Sequence, residues 1–258
     1  MKQFISFSGG VESSTMCVLF ADKADAIFAD TGFEHKEIYN RISLIENWCK
    51  NFHRPDFKIH LLKPEVTHKG ESYNTLPDLI LAQKYYPSFQ SRYCTRQFKI
   101  EPIDDFLEQY KEEGVELMIG LNAEEIEMRT GNHGNKPFVK YSYPLADNRI
   151  TRSGCISILD KAGLAPNFPP YMKRGGCIGC YYKSKREYEA MSLLNPDEFK
   201  IVEDLENNIQ DRRGKFFSIH QGITMKQIRE NASNLLFKPE EIYPVINNAT
   251  KCGVFCNR

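Results

Sequence analysis

Two groups of residues in this 258-residue chain have the types and spacing for chemistry. The first is Ser8-Gly9-Gly10-Val11-Glu12-Ser13-Ser14-Thr15. A glycine pair lets the backbone turn tightly and come close to a ligand. If a helix starts at Val11, its first turn offers unpaired N–H groups and a positive dipole end. Each such contact with an anion contributes about 0.3–1 kcal/mol, so several groups must converge to hold a phosphate. Ser8, Ser13, Ser14 and Thr15 add hydroxyls, more than a simple serine cap requires. No Lys follows the glycines, so this is not a Walker A loop. The second group is Gly175-Gly176-Cys177-Ile178-Gly179-Cys180, a C-x-x-C whose flanking glycines let both sulfurs face one point. Alone, it reads as a redox pair, half a zinc site or half an iron–sulfur site.

The elements that must position these groups follow from hydrophobic period. Lys2–Phe7, Ala24–Ala29, Phe57–Leu62 and Val115–Leu121 read as strands. Val11–Ala21 reads as a buried helix, and His35–Lys50 as a helix with Ile38, Ile42, Ile45 and Trp48 at helical spacing. Pro102–Glu112 reads as a helix ended by Gly114. Thr151 caps a further helix to Lys161, closed by Gly163. Pro64–Phe89 is irregular, with a short helix around Asp78–Lys84. Beyond Tyr181 the chain reads as helical over Ser184–Leu194, Pro196–Gln210 and Thr224–Asn231. Strands separated by helices imply a parallel sheet, whose ligands sit beyond the carboxyl ends of the strands. That places Ser8–Ser14 and Asp30-Thr31-Gly32 on one rim. A carboxylate there can meet an adenosine, its ribose or a metal; an ordinary Asx turn is the simpler reading of Asp30 alone.

Arg92, Arg96 and Lys99 surround Cys94 within eight residues. They read either as a solvated basic helix start or as a phosphate-facing cluster beside a thiolate of depressed pKa. A thioredoxin-like pair follows a strand and opens a helix, whereas Pro166–Arg174 before Cys177 reads as a loop. A metal needs about four ligands, and Cys252 and Cys256 near the end of the chain offer one. Cys17, Cys49 and Cys155 sit among apolar neighbours and read as packing residues.

Composition is ordinary for a globular chain, 41% hydrophobic and 26% charged. Lys plus Arg and Asp plus Glu both number 34. A bulk electrostatic nucleic-acid binder is therefore not indicated, although a local basic groove is compatible with this balance. Lys183, Lys185, Arg186, Arg212, Arg213 and Lys215 make the C-terminal part basic, either as a solvated face or as an approach to a polyanion. The longest apolar run, Met16–Ala21, is too short to cross a membrane. The chain runs straight into a strand with no room for a signal peptide. The expectation is a cytoplasmic protein without a disulfide framework.

Ser8–Ser14 resembles the SGGxDS[ST] PP-loop of the ATP pyrophosphatase superfamily, with Glu12 for Asp. Asp30-Thr31-Gly32 is similar to the second motif of its phosphoadenosine phosphosulfate (PAPS) reductase branch. Cys94, followed five residues on by Lys99 and then Pro102, resembles another motif of that branch, with Thr95 where cluster-bearing reductases have a second cysteine. Gly120–Arg129 resembles G-[IL]-R-x-x-E-S-x-x-R: Gly120, Glu125 and Arg129 match, while Asn122 and Ile126 replace Arg and Ser. Pro144-Leu145-Ala146-Asp147 is similar to a Pro-Leu-x-Asp strand end. Cys252-Gly253-Val254 is weakly similar to the mobile Cys-Gly-Leu tail of thioredoxin-dependent reductases. The resemblance spans about the first 195 residues.

It implies an α/β fold with a doubly wound parallel sheet, like the adenine nucleotide alpha hydrolases (HUP/PP-loop), and a helical C-terminal lobe. The implied division is a nucleotide-binding domain over 1–165 and a cysteine-containing lobe over 166–258. ATP or PAPS would lie on Ser8–Ser14, Asp30–Gly32 and Gly120, with Mg²⁺ near Glu12 and Arg129 on phosphate oxygens. The resemblance puts Cys94 near the C-x-x-C, implying a [4Fe–4S] cluster on Cys94, Cys177, Cys180 and Cys256, with Cys252 the rival ligand and structural zinc the alternative. The leading expectation is an enzyme that cleaves ATP to AMP and pyrophosphate to adenylate an acceptor, for sulfur transfer to a nucleic acid or nucleotide. Arg96, Lys99 and Arg129 would steady developing charge and a sulfur donor would follow. The second is PAPS reduction to sulfite by a thiol reductant, with Cys252 or Cys256 as nucleophile. The third is a non-catalytic nucleotide-binding module. A homodimer is compatible with all three.

Overall fold

The computed structural model describes residues 1–129, 136–173, 175–213, 217–220 and 222–234, without the side chains of 128–129 and 210–213. Strands β1 (Lys2–Ser6), β2 (Asp25–Ala29), β3 (Ile59–Leu62), β6 (Val115–Ile119) and β7 (Val139–Ser142) form one five-stranded sheet in the order β3-β2-β1-β6-β7. All four pairings are parallel. Alternation along the strands sends apolar side chains to both faces. Ile5, Ala26 and Phe28 pack with Met16, Ile38 and Ile45 of helices α1 (Val11–Phe20) and α2 (Lys36–Phe52). Phe4, Ile27 and Leu117 face Leu107 and Phe106 of α5 (Glu101–Glu108). Burial on both faces is what a parallel sheet demands.

The expected helices are present with shifted ends. His35 caps α2 rather than belonging to it. Helix α8 (Arg152–Lys161) starts at Thr151, whose hydroxyl accepts from the Gly154 N–H at 3.2 Å. Helices α9 (Lys185–Leu194), α10 (Pro196–Arg213) and α11 (Met225–Ser233) follow; Ser184 and Gln227 help close capping boxes at α9 and α11. Their Met191, Val202 and Ile228 join the same apolar cluster as Ile5 and Val11.

Three features differ from expectation. Pro64–Phe89 is not irregular throughout: β4 (Val66–His68) and β5 (Glu71–Tyr73) form an antiparallel hairpin across a Lys69-Gly70 turn, and α3 (Leu76–Gln83) begins at a Thr75 cap. The helix after Cys94 is already underway before Pro102. A short turn, α4 (Tyr93–Thr95), widens over Arg96–Ile100 and runs on into α5. The sheet also has β7, which ends in the short helix α7 (Pro144–Asp147), so the Pro-Leu-Ala-Asp run is a helical turn after a strand. Among the described residues no helix is long and apolar enough to cross a membrane.

Candidate functional site

Strand order reverses between β1 and β6, so the crevice at their carboxyl ends is the topological switch point. The Ser8–Ser13 bend leaves β1 there. Gly9 takes φ +73°, which a side chain tolerates poorly, and Ile38 Cγ2 lies 3.0 Å from where its Cβ would stand. Gly10 precedes α1, and no side chain caps that helix. Its first-turn N–H groups are thus left to a ligand or solvent. Gly120, at the end of β6, presses against the bend: a Cβ there would sit 3.2 Å from the Ser13 nitrogen and 3.3 Å from the Glu12 carbonyl carbon.

The hydroxyls divide into two sets. Ser8 and Ser13 stay on the bend, with their oxygens 3.2 Å apart and the Ser8 N–H donating to Ser13 Oγ at 3.1 Å. Ser14 and Thr15 turn inward. Ser14 Oγ accepts from Arg41 Nε at 3.0 Å, and Thr15 donates to the Val11 carbonyl at 3.0 Å. Ser14 therefore supports the bend from below and offers no hydroxyl to a ligand. Arg41 also donates to the Leu164 carbonyl at 3.1 Å and lies over the Phe168 ring. Burial pulls its pKa down to about 10.

Glu12 does not point free into the crevice. Its Oε1 pairs with Arg152 of α8 and accepts from Asn122 Nδ2 at 3.2 Å. Both ion-pair side chains are largely buried, at 11% and 13% exposure. Asn122 stands where the resemblance expected an Arg, and Arg152 supplies the cation from another element. The Arg152 cation therefore competes with any Mg²⁺ for the Glu12 carboxylate, which Mg²⁺ would share with phosphates. Of Arg129 only the backbone position at the end of the short helix α6 (Ile126–Arg129) is described.

The Asp30–Gly32 turn is mainly a scaffold. Asp30 Oδ1 accepts from Gly32 N–H at 2.8 Å and from Tyr39 O–H at 2.7 Å, an Asx turn. Gly32 has φ +65°, and a Cβ would collide with Thr75 at 2.7 Å. Thr31 reaches the thiols: its hydroxyl donates to Glu34 Oε1 at 3.0 Å and lies 3.7 Å from Cys177 Sγ.

Glu34 joins the Asp30–Gly32 turn to the cysteine turn. Its buried Oε1 accepts from Thr31 and from the Cys177 thiol at 3.4 Å, and it forms an ion pair with Lys99, whose Nζ is 3.5 Å away. Glu34 and Cys177 also pair as a short antiparallel bridge, and the Ile178 N–H donates to the Phe33 carbonyl at 2.8 Å. Ile38 lies between the bend and the cysteine turn, 3.7 Å from a Cβ on Gly175 as well as against Gly9.

Cys94, Cys177 and Cys180 all interact with Lys99. Burial pulls the Lys99 ammonium down, but the Glu34 carboxylate and these sulfurs outweigh it and hold the pKa above its ordinary range. The expectation of a depressed Cys94 is corrected: burial raises its thiol pKa more than Lys99, Thr95 and Arg92 lower it. Burial raises Cys177 strongly, with Glu34 adding to it. Arg96 is 67% exposed at its side chain and leans on Glu101 at 3.6 Å, away from this group. The C-x-x-C turn is keyed in place. Tyr86 O–H donates to the Gly179 carbonyl at 2.6 Å, Tyr188 O–H to the Cys180 carbonyl at 2.9 Å, and a Cβ on Gly179 would meet Phe33 at 2.8 Å.

Cys94, Cys177 and Cys180 all lie in the neighbourhood of Lys99, but among the described residues their sulfurs do not form a group of ligand atoms within 4.8 Å of one another. Cys252 and Cys256 lie outside the described residues. Cys17, Cys49 and Cys155 are buried packing residues, as expected. A separate group, His35, Glu37 and Glu198, brings three ligand atoms within 4.8 Å of one another. His35 Nδ1 pairs with Glu198, and Glu37 accepts from Tyr171 O–H at 2.9 Å.

Glu34, Arg152 and Arg41 were not singled out in the sequence. Glu34 follows the Asp-Thr-Gly-Phe turn directly, a placement that could have drawn attention to it. No protein-family model matches the chain, and no curated protein matches it.

Proposed function

We propose that this chain is an adenine-nucleotide enzyme of the PP-loop type on a doubly wound sheet. The observation that carries the reading is the uncapped glycine bend at the switch point, pressed by Gly120 and joined through Ile38 to the cysteine turn that Glu34 holds. The bend would bind the polyphosphate of ATP through N–H groups of the first turn of α1 and the Ser8 and Ser13 hydroxyls. An acceptor oxygen would attack the α-phosphorus; the bond to the bridging oxygen would break and pyrophosphate would leave. The adenylated acceptor would then take sulfur with loss of AMP. Lys99 lies with the thiols and would steady charge there. Cys94, Cys177 and Cys180 would hold a [4Fe–4S] cluster or zinc, an iron–sulfur cluster supplying sulfur or redox chemistry.

The Glu12–Arg152 pair favours a second reading. The Arg152 cation already on Glu12 competes with Mg²⁺, which favours a phosphosulfate nucleotide such as PAPS: a thiolate would attack its sulfonate sulfur and expel adenosine 3′,5′-bisphosphate, and a second thiol would attack the S-sulfonated cysteine, releasing sulfite and leaving a disulfide. Metal-replete protein incubated with ATP and with PAPS, assayed for pyrophosphate and for sulfite, separates the two. Nucleotide binding with neither product would leave a non-catalytic module, and no nucleotide binding would sink the reading.

A further inference from the structure

We propose that the aromatic cluster around Phe89 is a stacking platform for bases of a single-stranded nucleic acid, delivering the acceptor to the thiol group. The ring of Phe89, 58% exposed, lies 5.3 Å from Tyr181 and 4.6 Å from Tyr182, which are 4.4 Å from each other. The Arg92 guanidinium lies 5.9 Å from the Tyr182 ring centre. Tyr85 and Tyr93 form a second ring pair, 6.1 Å apart, and Tyr93 follows Arg92 in the chain. Tyr93 directly precedes Cys94 and Tyr181 directly follows Cys180 in the chain. The platform therefore borders the thiols.

Charge selects the occupant. Residues 84–100 carry four Lys or Arg and residues 173–186 carry five, with no Asp or Glu in either stretch. In a chain of zero formal charge this is a concentrated asymmetry. Of these cations Lys84 and Arg186 are exposed, and Arg92 lies against the Tyr182 ring; Arg96 and Lys185 are exposed and pair with Glu101 and Glu189, while Lys99 and Lys183 turn inward to Glu34 and the Tyr171 carbonyl. Exposed rings interleaved with cations are the recognition chemistry of unpaired bases and their phosphates.

This assignment rests on the thiol group being where an acceptor is modified. The test is fluorescence anisotropy with labelled single-stranded DNA and RNA on the whole chain, without ATP. Salt-sensitive binding is expected, with abasic strands and Phe89→Ala about tenfold weaker and Phe89→Tyr near the parent. Thermal melting of each variant checks folding; Phe89 is exposed, and Arg92→Gln supplies a second probe. No oligonucleotide binding, or binding that neither abasic strands nor Phe89→Ala weaken, overturns the platform. So does a dimer that Phe89→Ala dissolves without any oligonucleotide binding. Nucleotide binding to the glycine bend, measured in parallel, separates the failures: a base-stacking chain that takes neither ATP nor PAPS keeps the platform and loses the enzyme.

Discussion

The Arg152 guanidinium is the ion-pair partner of Glu12, joining the first turn of α8 to the first turn of α1 across the mouth of the switch point. Removing one partner of a largely buried pair leaves the other charge uncompensated, which typically costs about 3–5 kcal/mol. Arg152→Ala is expected to lower stability by about 3 kcal/mol, read as a shift in urea midpoint, and Arg152→Ala with Glu12→Gln to recover part of it. Additive losses in the double variant would show that the two side chains do not act as a pair.

A methyl group on Gly120 would press on backbone atoms of the bend at 3.2 and 3.3 Å, so the bend must shift to admit it. Gly120→Ala should push Ser13 and Glu12 outward, with a loss of about 1–3 kcal/mol and at least tenfold weaker nucleotide binding by calorimetry. Gly163→Ala is the control: φ +69° strains it, yet no atom lies within 4 Å. It should lose stability without losing nucleotide affinity.

Cys177→Ser and Cys94→Ser should each reduce the iron or zinc carried by purified protein, measured by elemental analysis and visible absorbance. Cys17→Ser should leave metal content unchanged, because Cys17 is fully buried among apolar residues away from Lys99. Equal metal content in all three variants would dismiss the thiol group as a metal centre.

Stability should depend on pH through His35. Burial, then the Lys183 ammonium, lowers the His35 pKa below its ordinary 6.5, outweighing Glu198, so the folded ring stays neutral. The unfolded chain binds that proton first. The contribution of His35 is therefore fully present above about pH 6.5 and lost as pH falls toward the folded value. Glu198, held low despite its burial by His35 and the Lys36 N–H, adds a further loss below its ordinary 4.5. Urea midpoints from pH 8 to 5 should fall on the acid side, and His35→Gln should flatten that slope; a parallel slope in the variant would exclude His35.

The strands β1, β2, β3 and β6 were legible because a parallel core strand is a short apolar run, and the bend because its glycines and hydroxyls are contiguous. The hairpin β4–β5 was not, since three-residue strands carry too little alternation to register. The cysteine turn was visible as C-x-x-C, but its partner Glu34 was not, because a carboxylate after an aromatic residue looks like any surface acid until the fold buries it. Pairing of Glu12 with Arg152 spans 140 positions, beyond any local pattern. Ser14 and Thr15 read as ligand hydroxyls because sequence cannot show which side of a first helical turn faces inward.

The bridge between Glu34 and Cys177 also bears on how the chain assembles. A contact separated by 143 positions closes late, because a long loop must be gathered before the contact repays it. Until then the Cys177 thiol keeps its ordinary pKa, well below the one burial gives it in the fold, and is the better nucleophile. The nascent or refolding chain, more than the finished one, is thus the form that oxidants attack, and refolding yield should rise steeply with added reductant.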